Sequence, residues 1–265
     1  MSIPLSDLRM PDPQRVFTGD GVRLATYTWG EVDAPTVVVL HGFASSTHDS
    51  WVLTGWERAL VAAGFRVLGI DFRGHGDSEK PHQVDAYSVK TLANDVEQVL
   101  DTYLIDDALL LGYSLGGQVA WRVAAEIPHR VDRIVLGGVP EGAPFAAIDF
   151  AQVETHVREG TAVSDAATQQ YVAITERVPG NDASALLAMA RGIHETGLTS
   201  DTLALPDLPV LIASGENDPD LAASRELADG SGNAELFVIP RRHHFNAPAS
   251  REFREAAVEF FRAGQ

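Results

Sequence analysis

The sequence predicts an α/β fold: a mostly parallel β-sheet covered by helices on both faces, with an inserted helical cap. Three observations predict it. Thr36-Val37-Val38-Val39-Leu40 is a continuous, largely β-branched apolar run, as expected of a strand buried on both faces. Further runs of this kind alternate with helical stretches, the pattern of parallel strands joined by crossover helices. The alternation lapses once, over residues 141–207, where three helical stretches follow one another with no strand between them.

The elements follow in order. Arg15–Thr18 and Val22–Tyr27 flank Gly19-Asp20-Gly21 and predict a β-hairpin, because Asp-Gly is a favoured turn pair. After the Thr36–Leu40 strand, a helix is expected near Trp51–Ala63 and a strand over Arg66–Ile70. A second helix is expected over about Ser88–Leu104, where Val89, Leu92, Val96, Val99, Leu100 and Tyr103 share one face. The strand Ala108–Leu111 runs into a glycine-rich turn, then a helix to about Glu126 and a strand at Arg133–Gly137. Helical stretches at Phe145–Glu159, Ser164–Glu176 and Ala183–His194 make the cap. The alternation resumes with a strand at Pro209–Ala213, a helix at Pro219–Ala228, a strand at Glu235–Ile239 and a helix at Pro248–Phe261. The expected division is a core of residues 1–140 and 208–265 and a cap of residues 141–207.

Composition narrows the function. The 265 residues carry 37 acidic and 20 basic side chains, a formal charge of -17. Such a chain is a poor match for nucleic acid or an anionic membrane surface, so neither is expected as a partner. No cysteine is present, which excludes disulfides, thiolate metal sites and a cysteine nucleophile. Met1–Gln14 lacks a basic segment followed by an apolar run, so no signal peptide is expected and a cytoplasmic location is. No metal-binding spacing and no phosphate-binding glycine loop occurs, so no cofactor or metal is expected.

The sharpest signal is Gly112-Tyr113-Ser114-Leu115-Gly116, followed by Gly117, between a strand and a helix. A serine on such a tight turn is presented at its tip, and the glycines let the chain cross itself closely. Serine needs a base, and the base needs an orienting acid. Two later strands run into Gly215-Glu216-Asn217-Asp218 and into Pro240-Arg241-Arg242-His243-His244-Phe245. The order Ser, Asp, His is that of one known triad scaffold. Position alone leaves Glu216 beside Asp218 as the acid, and His243 beside His244 as the base.

These motifs, with His41-Gly42-Phe43 and Asp71-Phe72-Arg73-Gly74-His75-Gly76-Asp77-Ser78, give the chain a resemblance to the α/β-hydrolases over nearly its whole length. The resemblance implies Ser114 as nucleophile, Asp218 as triad acid and His244 as base. It departs from the family in having His243 where glycine often precedes the base. It implies an oxyanion hole from the backbone N–H groups of Leu115 and Phe43, and structural roles for His41 and His75. Relatives with aspartate at the elbow attack haloalkanes or epoxides; serine disfavours that chemistry.

The activity implied is hydrolysis of a small or medium, partly apolar carboxylic ester through an acyl-enzyme, by a monomer or homodimer. Carbon–carbon bond hydrolysis, lactone, amide or thioester cleavage, perhydrolysis and a ligand-sensing role use the same scaffold and remain alternatives. The cap offers Phe145, Ile148, Phe150, Val153, Tyr171, Ile174, Leu186, Leu187, Met189 and Ile193 for packing and for an enclosed apolar pocket. His48 and Trp51 are further candidates for substrate contact, with packing the simpler role.

Overall fold

In the computed structural model, residues 10–140, 142–200 and 203–264 are described. Residues 1–9, and positions 141, 201 and 202 of the expected cap, lie outside them. The hairpin is formed by β1 (Gln14–Phe17) and β2 (Arg23–Trp29), closed by Gly21 at φ +86°. The parallel strands are β3 (Thr36–Leu40), β4 (Arg66–Asp71), β5 (Ala108–Tyr113), β6 (Val131–Gly137), β7 (Val210–Gly215) and β8 (Ala234–Ile239). Their order across the sheet is β1-β2-β4-β3-β5-β6-β7-β8, with β2 antiparallel to both neighbours.

The apolar strands divide their side chains between two cores. Val38, Leu40, Leu110, Ile134 and Ile212 face α2 (Val89–Thr102), α3 (Leu115–Glu126) and α7 (Leu221–Asp229). Val37, Val39, Leu109, Leu111, Val135 and Leu211 face α1 (Trp56–Ala62) and α8 (Arg251–Arg262). The strand alternation thus feeds both faces, which is why the runs read as continuously apolar.

Several helix bounds differ from expectation. The stretch from Trp51 is split: a single π-type turn, His48–Val52, ends before Gly55, which at φ +83° starts α1. The first cap helix, α4, runs over Phe150–Glu159 rather than from Phe145, because the Asp149 carboxylate accepts the N–H groups of Ala151 and Gln152 and fixes the start there. The helix expected from Pro248 begins at Arg251, with Ser250 as N-cap and Pro248 in a 3₁₀ turn. The helix expected from Pro219 begins at Leu221.

Between β6 and β7 lie α4, α5 (Ala166–Glu176) and α6 (Ala183–Thr196), with no strand among the described residues. α6 joins this segment to the rest: Ala188, Met189 and Ile193 belong to the sheet core, while Leu187 and Ala190 pack with Val153 and Tyr171 of α4 and α5. Both ends of the segment are tied to α3. The Gln118 amide donates to the Pro140 carbonyl (2.8 Å) and accepts the Ser200 N–H (3.1 Å). Trp121 Nε1 donates to the Ala204 carbonyl. No described helix is long and apolar enough to cross a membrane.

Candidate active site

The carboxyl ends of β3, β5, β7 and β8 meet beneath the three-helix segment. At the end of β5, Ser114 adopts φ +55° and ψ −118°, a region that costs a non-glycine residue about 1–3 kcal/mol. The crossing of strand and helix forces it: a Cβ on Gly112 would lie 2.1 Å from the Gly116 carbonyl oxygen, and one on Gly116 would lie 2.0 Å from that of Leu40. Only glycine fits at both positions, and the serine side chain is left pointing off the turn.

His244 joins Ser114 to Asp218. Its Nε2 is 3.1 Å from Ser114 Oγ and its Nδ1 is 3.2 Å from Asp218 Oδ2. The side chain of Asp218 is fully buried. Burial by itself raises its pKa, but the hydrogen bond with His244, the Asp220 N–H and the charges of His244 and His243 outweigh burial and hold it below the usual carboxylate range. Asp218 thus stays ionised and fixes Nδ1–H as the donor, leaving Nε2 free to accept from the serine hydroxyl. Tyr113, whose hydroxyl donates to the His244 carbonyl, packs its ring 5.4 Å from the imidazole.

The two alternatives left open by the sequence, His243 and Glu216, make contacts of a different kind. His243 is exposed and turned into its own loop, where its Nδ1 accepts the Phe245 N–H (3.3 Å). Glu216 is exposed and accepts the Arg241 N–H (2.7 Å), bracing the turn in which Arg241 sits at φ +57°. The acid and imidazole loops also clamp each other: Asn217 N–H donates to the Arg242 carbonyl, and a Cβ on Gly215 would meet that oxygen at 2.5 Å.

Across the gap from Leu115 lies the loop after β3. A Cβ on Gly42 would be 3.4 Å from the Ser114 Cβ, so the backbone leading to Phe43 passes directly beside the serine. The Leu115 N–H, first in α3, has no carbonyl one turn earlier in its own helix. Ala44, at φ +56°, is held by its N–H donating to His75 Nε2 (2.9 Å). His41 Nε2 accepts the Phe72 N–H, and Asp71 accepts the Thr47 N–H. Burial lowers the pKa of both histidines, which keeps them neutral as these acceptor roles require. The expected structural roles of His41 and His75 are therefore seen as hydrogen bonds that shape this loop. The Phe43 ring packs on Phe145 (5.0 Å) and Tyr171 (5.9 Å) and docks the three-helix segment.

A cavity of about 590 Å³ opens onto Ser114. Phe145, Ile174 and Ile193 line it, while Ile148, Phe150, Val153, Tyr171, Leu187 and Met189 pack among themselves or on the sheet and Leu186 is buried. His48 and Trp51 do not line it; Trp51 is buried against Trp56. Sequence reasoning missed Arg177, Gln170, Ser45 and Ser50, which also line the cavity. Only the helical spacing of residues 170, 174 and 177 could have signalled the first two. Among the described residues one group has donor atoms close enough for a metal ion: Asp218, Asp220 and His244. Both nitrogens of His244 and both carboxylate oxygens of Asp218 already have hydrogen-bond partners, so a cation there would have to displace them.

Comparison with known proteins gives the setting. A family model described as the alpha/beta hydrolase fold matches residues 35–174, just over half of the chain. A Bacillus subtilis protein named "AB hydrolase superfamily protein YfhM" is 32% identical over 124 residues, 46% of this chain and 41% of that one. The chain thus spans less than half the length of that relative. "Epoxide hydrolase B" of Mycobacterium tuberculosis is 29% identical over 268 residues, covering 95% of this chain and 72% of that one. A thermophilic esterase from Thermogutta terrifontis superposes with a TM-score of 0.78 at 22% identity, over 96% of this chain and 99% of that one.

Proposed function

We propose that this chain, which belongs to the alpha/beta hydrolase fold family, is a serine hydrolase that cleaves small or medium, partly apolar carboxylic esters. One observation carries the proposal: the Ser114–His244–Asp218 hydrogen-bonded chain at the base of the cavity. The reaction is a two-step acyl transfer. Ser114 Oγ attacks the ester carbonyl carbon as His244 Nε2 takes the hydroxyl proton. The N–H groups of Phe43 and Leu115 receive the oxyanion, a contribution of about 3 kcal/mol per donor to the barrier. Collapse breaks the carbon–oxygen bond, and Nε2 returns its proton to the leaving alkoxide. Water, deprotonated by Nε2, then attacks the acyl-enzyme, and Ser114 recovers its proton when the acid departs.

The side chain at the elbow also weighs against the activity in the name of the Mycobacterium relative. Attack by a serine oxygen on an epoxide carbon would leave an ether, which has no carbonyl for water to attack in a second step. A carboxylate nucleophile would leave an ester, which does. The three-helix segment, residues 141–207, acts as the cap that sets substrate size, over a core of residues 1–140 and 208–265. No step of the mechanism calls for a cofactor.

Hydrolysis of a chromogenic ester series from acetate to longer acyl chains tests the reading. Ser114→Ala is expected to lower kcat by about 10⁴-fold or more while the fold is retained by circular dichroism. Wild-type turnover that survives the substitution would overturn the assignment of the nucleophile.

A further inference from the structure

The cavity wall is not uniformly apolar. α5 turns residues 170, 174 and 177 to it, spacings of four and three that lie on one helical face. That face presents an amide, an aliphatic side chain and, at the helix end, a guanidinium. Among the described residues Arg177 is the only lysine or arginine lining the cavity. Among them its side chain makes no ion pair or hydrogen bond, and its partner is the Phe245 ring, whose centroid lies 5.9 Å from the guanidinium carbon. Phe245 in turn stands edge-on to the His244 ring, centroids 5.4 Å apart. The guanidinium therefore sits two ring-sized steps from the imidazole.

In a chain of net charge -17, acidic partners for an arginine are plentiful. Arg73, Arg122, Arg130 and Arg191 all have one. Among the described residues Arg177 does not, as is also true of Arg58, Arg66 and Arg254, but of these only Arg177 lines the cavity; the amide of Gln170 on the same face has no partner there either. The one carboxylate among the described lining residues, Asp220, has an oxygen within 4.8 Å of one from the Asp218 carboxylate and of a His244 ring nitrogen. A helix C-terminus favours a cation in general, but that does not explain why the Arg177 head group lies over the Phe245 ring in the cavity lining. With no acceptor among the described residues, its N–H donors are free for a bidentate acceptor.

We propose that the substrate is an anionic ester, bearing a carboxylate a short spacer away from the scissile carbonyl, and that Arg177, with Gln170, binds that carboxylate. The inference rests on the serine-hydrolase reading and narrows its substrate class. Arg177 is a specificity residue here, since it touches the substrate away from the reacting bond.

The test compares aryl hemiesters of dicarboxylic acids (succinate, glutarate, adipate, suberate) with neutral acyl esters of equal length. In the wild type kcat/KM favours the hemiester at one spacer length. In Arg177→Gln the hemiester-to-neutral ratio falls by about tenfold or more, and Arg177→Lys restores part of it. Arg158→Gln, which removes the same charge from α4 outside the cavity, leaves the ratio as it was. Ser114-dependent turnover with a ratio that Arg177→Gln does not move overturns this proposal alone; turnover independent of Ser114 overturns the serine-hydrolase reading. If none of these esters is cleaved, calorimetric titration with glutarate decides: binding that Arg177→Gln weakens by tenfold supports the subsite, and binding that is absent or unchanged overturns it.

Discussion

α3 and α4 are of similar length but are made in different ways. Of the 12 residues of α3, nine are buried, because the helix lies on the sheet and under both ends of the three-helix segment. Of the 10 residues of α4, only Val153 is buried. α6 stands between them, with eight buried residues, of which Ala188, Met189 and Ile193 join the sheet core and Leu187 and Ala190 the segment's own cluster. Burial thus falls away in steps from sheet to α6 to α4. Helical stability in proteins comes mainly from packing an apolar face, so resistance to local opening should fall in the same steps. Ser114, at the end of a sheet strand, belongs to the buried end of this gradient. The cavity-lining residues Phe145, Gln170, Ile174 and Arg177 belong to the other end.

The largest effect tests that gradient directly. Phe253 of α8 is fully buried and packs edge-on to Trp56 at 4.8 Å. Phe253→Ala is expected to lower the free energy of unfolding by about 3–5 kcal/mol, read from denaturant melts. Val153→Ala should move the global midpoint far less, and instead speed amide hydrogen exchange within α4 and α5. Equal losses from the two substitutions would mean that the segment and the sheet unfold as one unit, and the gradient would be wrong.

A smaller effect tests the middle step. A glycine inside a helix normally costs about 1 kcal/mol relative to alanine, so replacing one usually stabilises. Gly192 of α6 is an exception: a Cβ there would lie 2.3 Å from the Tyr87 carbonyl oxygen and 2.7 Å from that of Val84. Both are backbone atoms and cannot swing aside. Gly192→Ala should therefore push α6 off the core, lower Tm by several degrees (about 1–3 kcal/mol) and expose the segment to limited proteolysis. A rise in Tm would show that α6 is held loosely enough to accommodate the methyl group.

The same contrast explains what could be read in the sequence. The strands were legible because two-faced burial leaves an apolar run that little else produces, and β3 has the bounds expected of it. Ser114 and Asp218 were legible because each follows such a strand, and His244 because it follows the half-buried apolar run of β8. The start of α4 was misplaced because Phe145 and Ile148 look like the first turn of a helix; they are apolar because they meet Phe43 and the segment's cluster, not because they are helical. The break at Gly55 was hidden for a similar reason, since Trp51 and Trp56 pack on each other across it. The cavity wall was the least legible. Arg177 reads in sequence as an ordinary exposed charge, and its place over Phe245 depends on two loops far apart in the chain.

The smallest effect separates the two regions by charge rather than by packing. Asp218 and Asp165 are both held below the usual carboxylate range. For Asp218 burial acts upward and is outweighed by the His244 hydrogen bond and its neighbours; for exposed Asp165 the Thr168 N–H that it accepts at the start of α5 is the main cause. A carboxyl whose pKa is lower folded than unfolded binds fewer protons in the native state, so stability rises with pH across the carboxylate range. That contribution is fully present above the unfolded value and is lost as pH falls through the lowered native one. Asp218→Asn cannot take part in this titration. The Tm difference between wild type and Asp218→Asn should therefore be largest at neutral pH and narrow on acidification. Asp165→Asn should show the same sign with a smaller span, because solvent screens an exposed carboxylate and only one helix end depends on it. A wild-type difference from Asp218→Asn that stays constant with pH would mean that the carboxylate acts there by shape and hydrogen bonding alone, and that its charge adds nothing to the buried end of the fold.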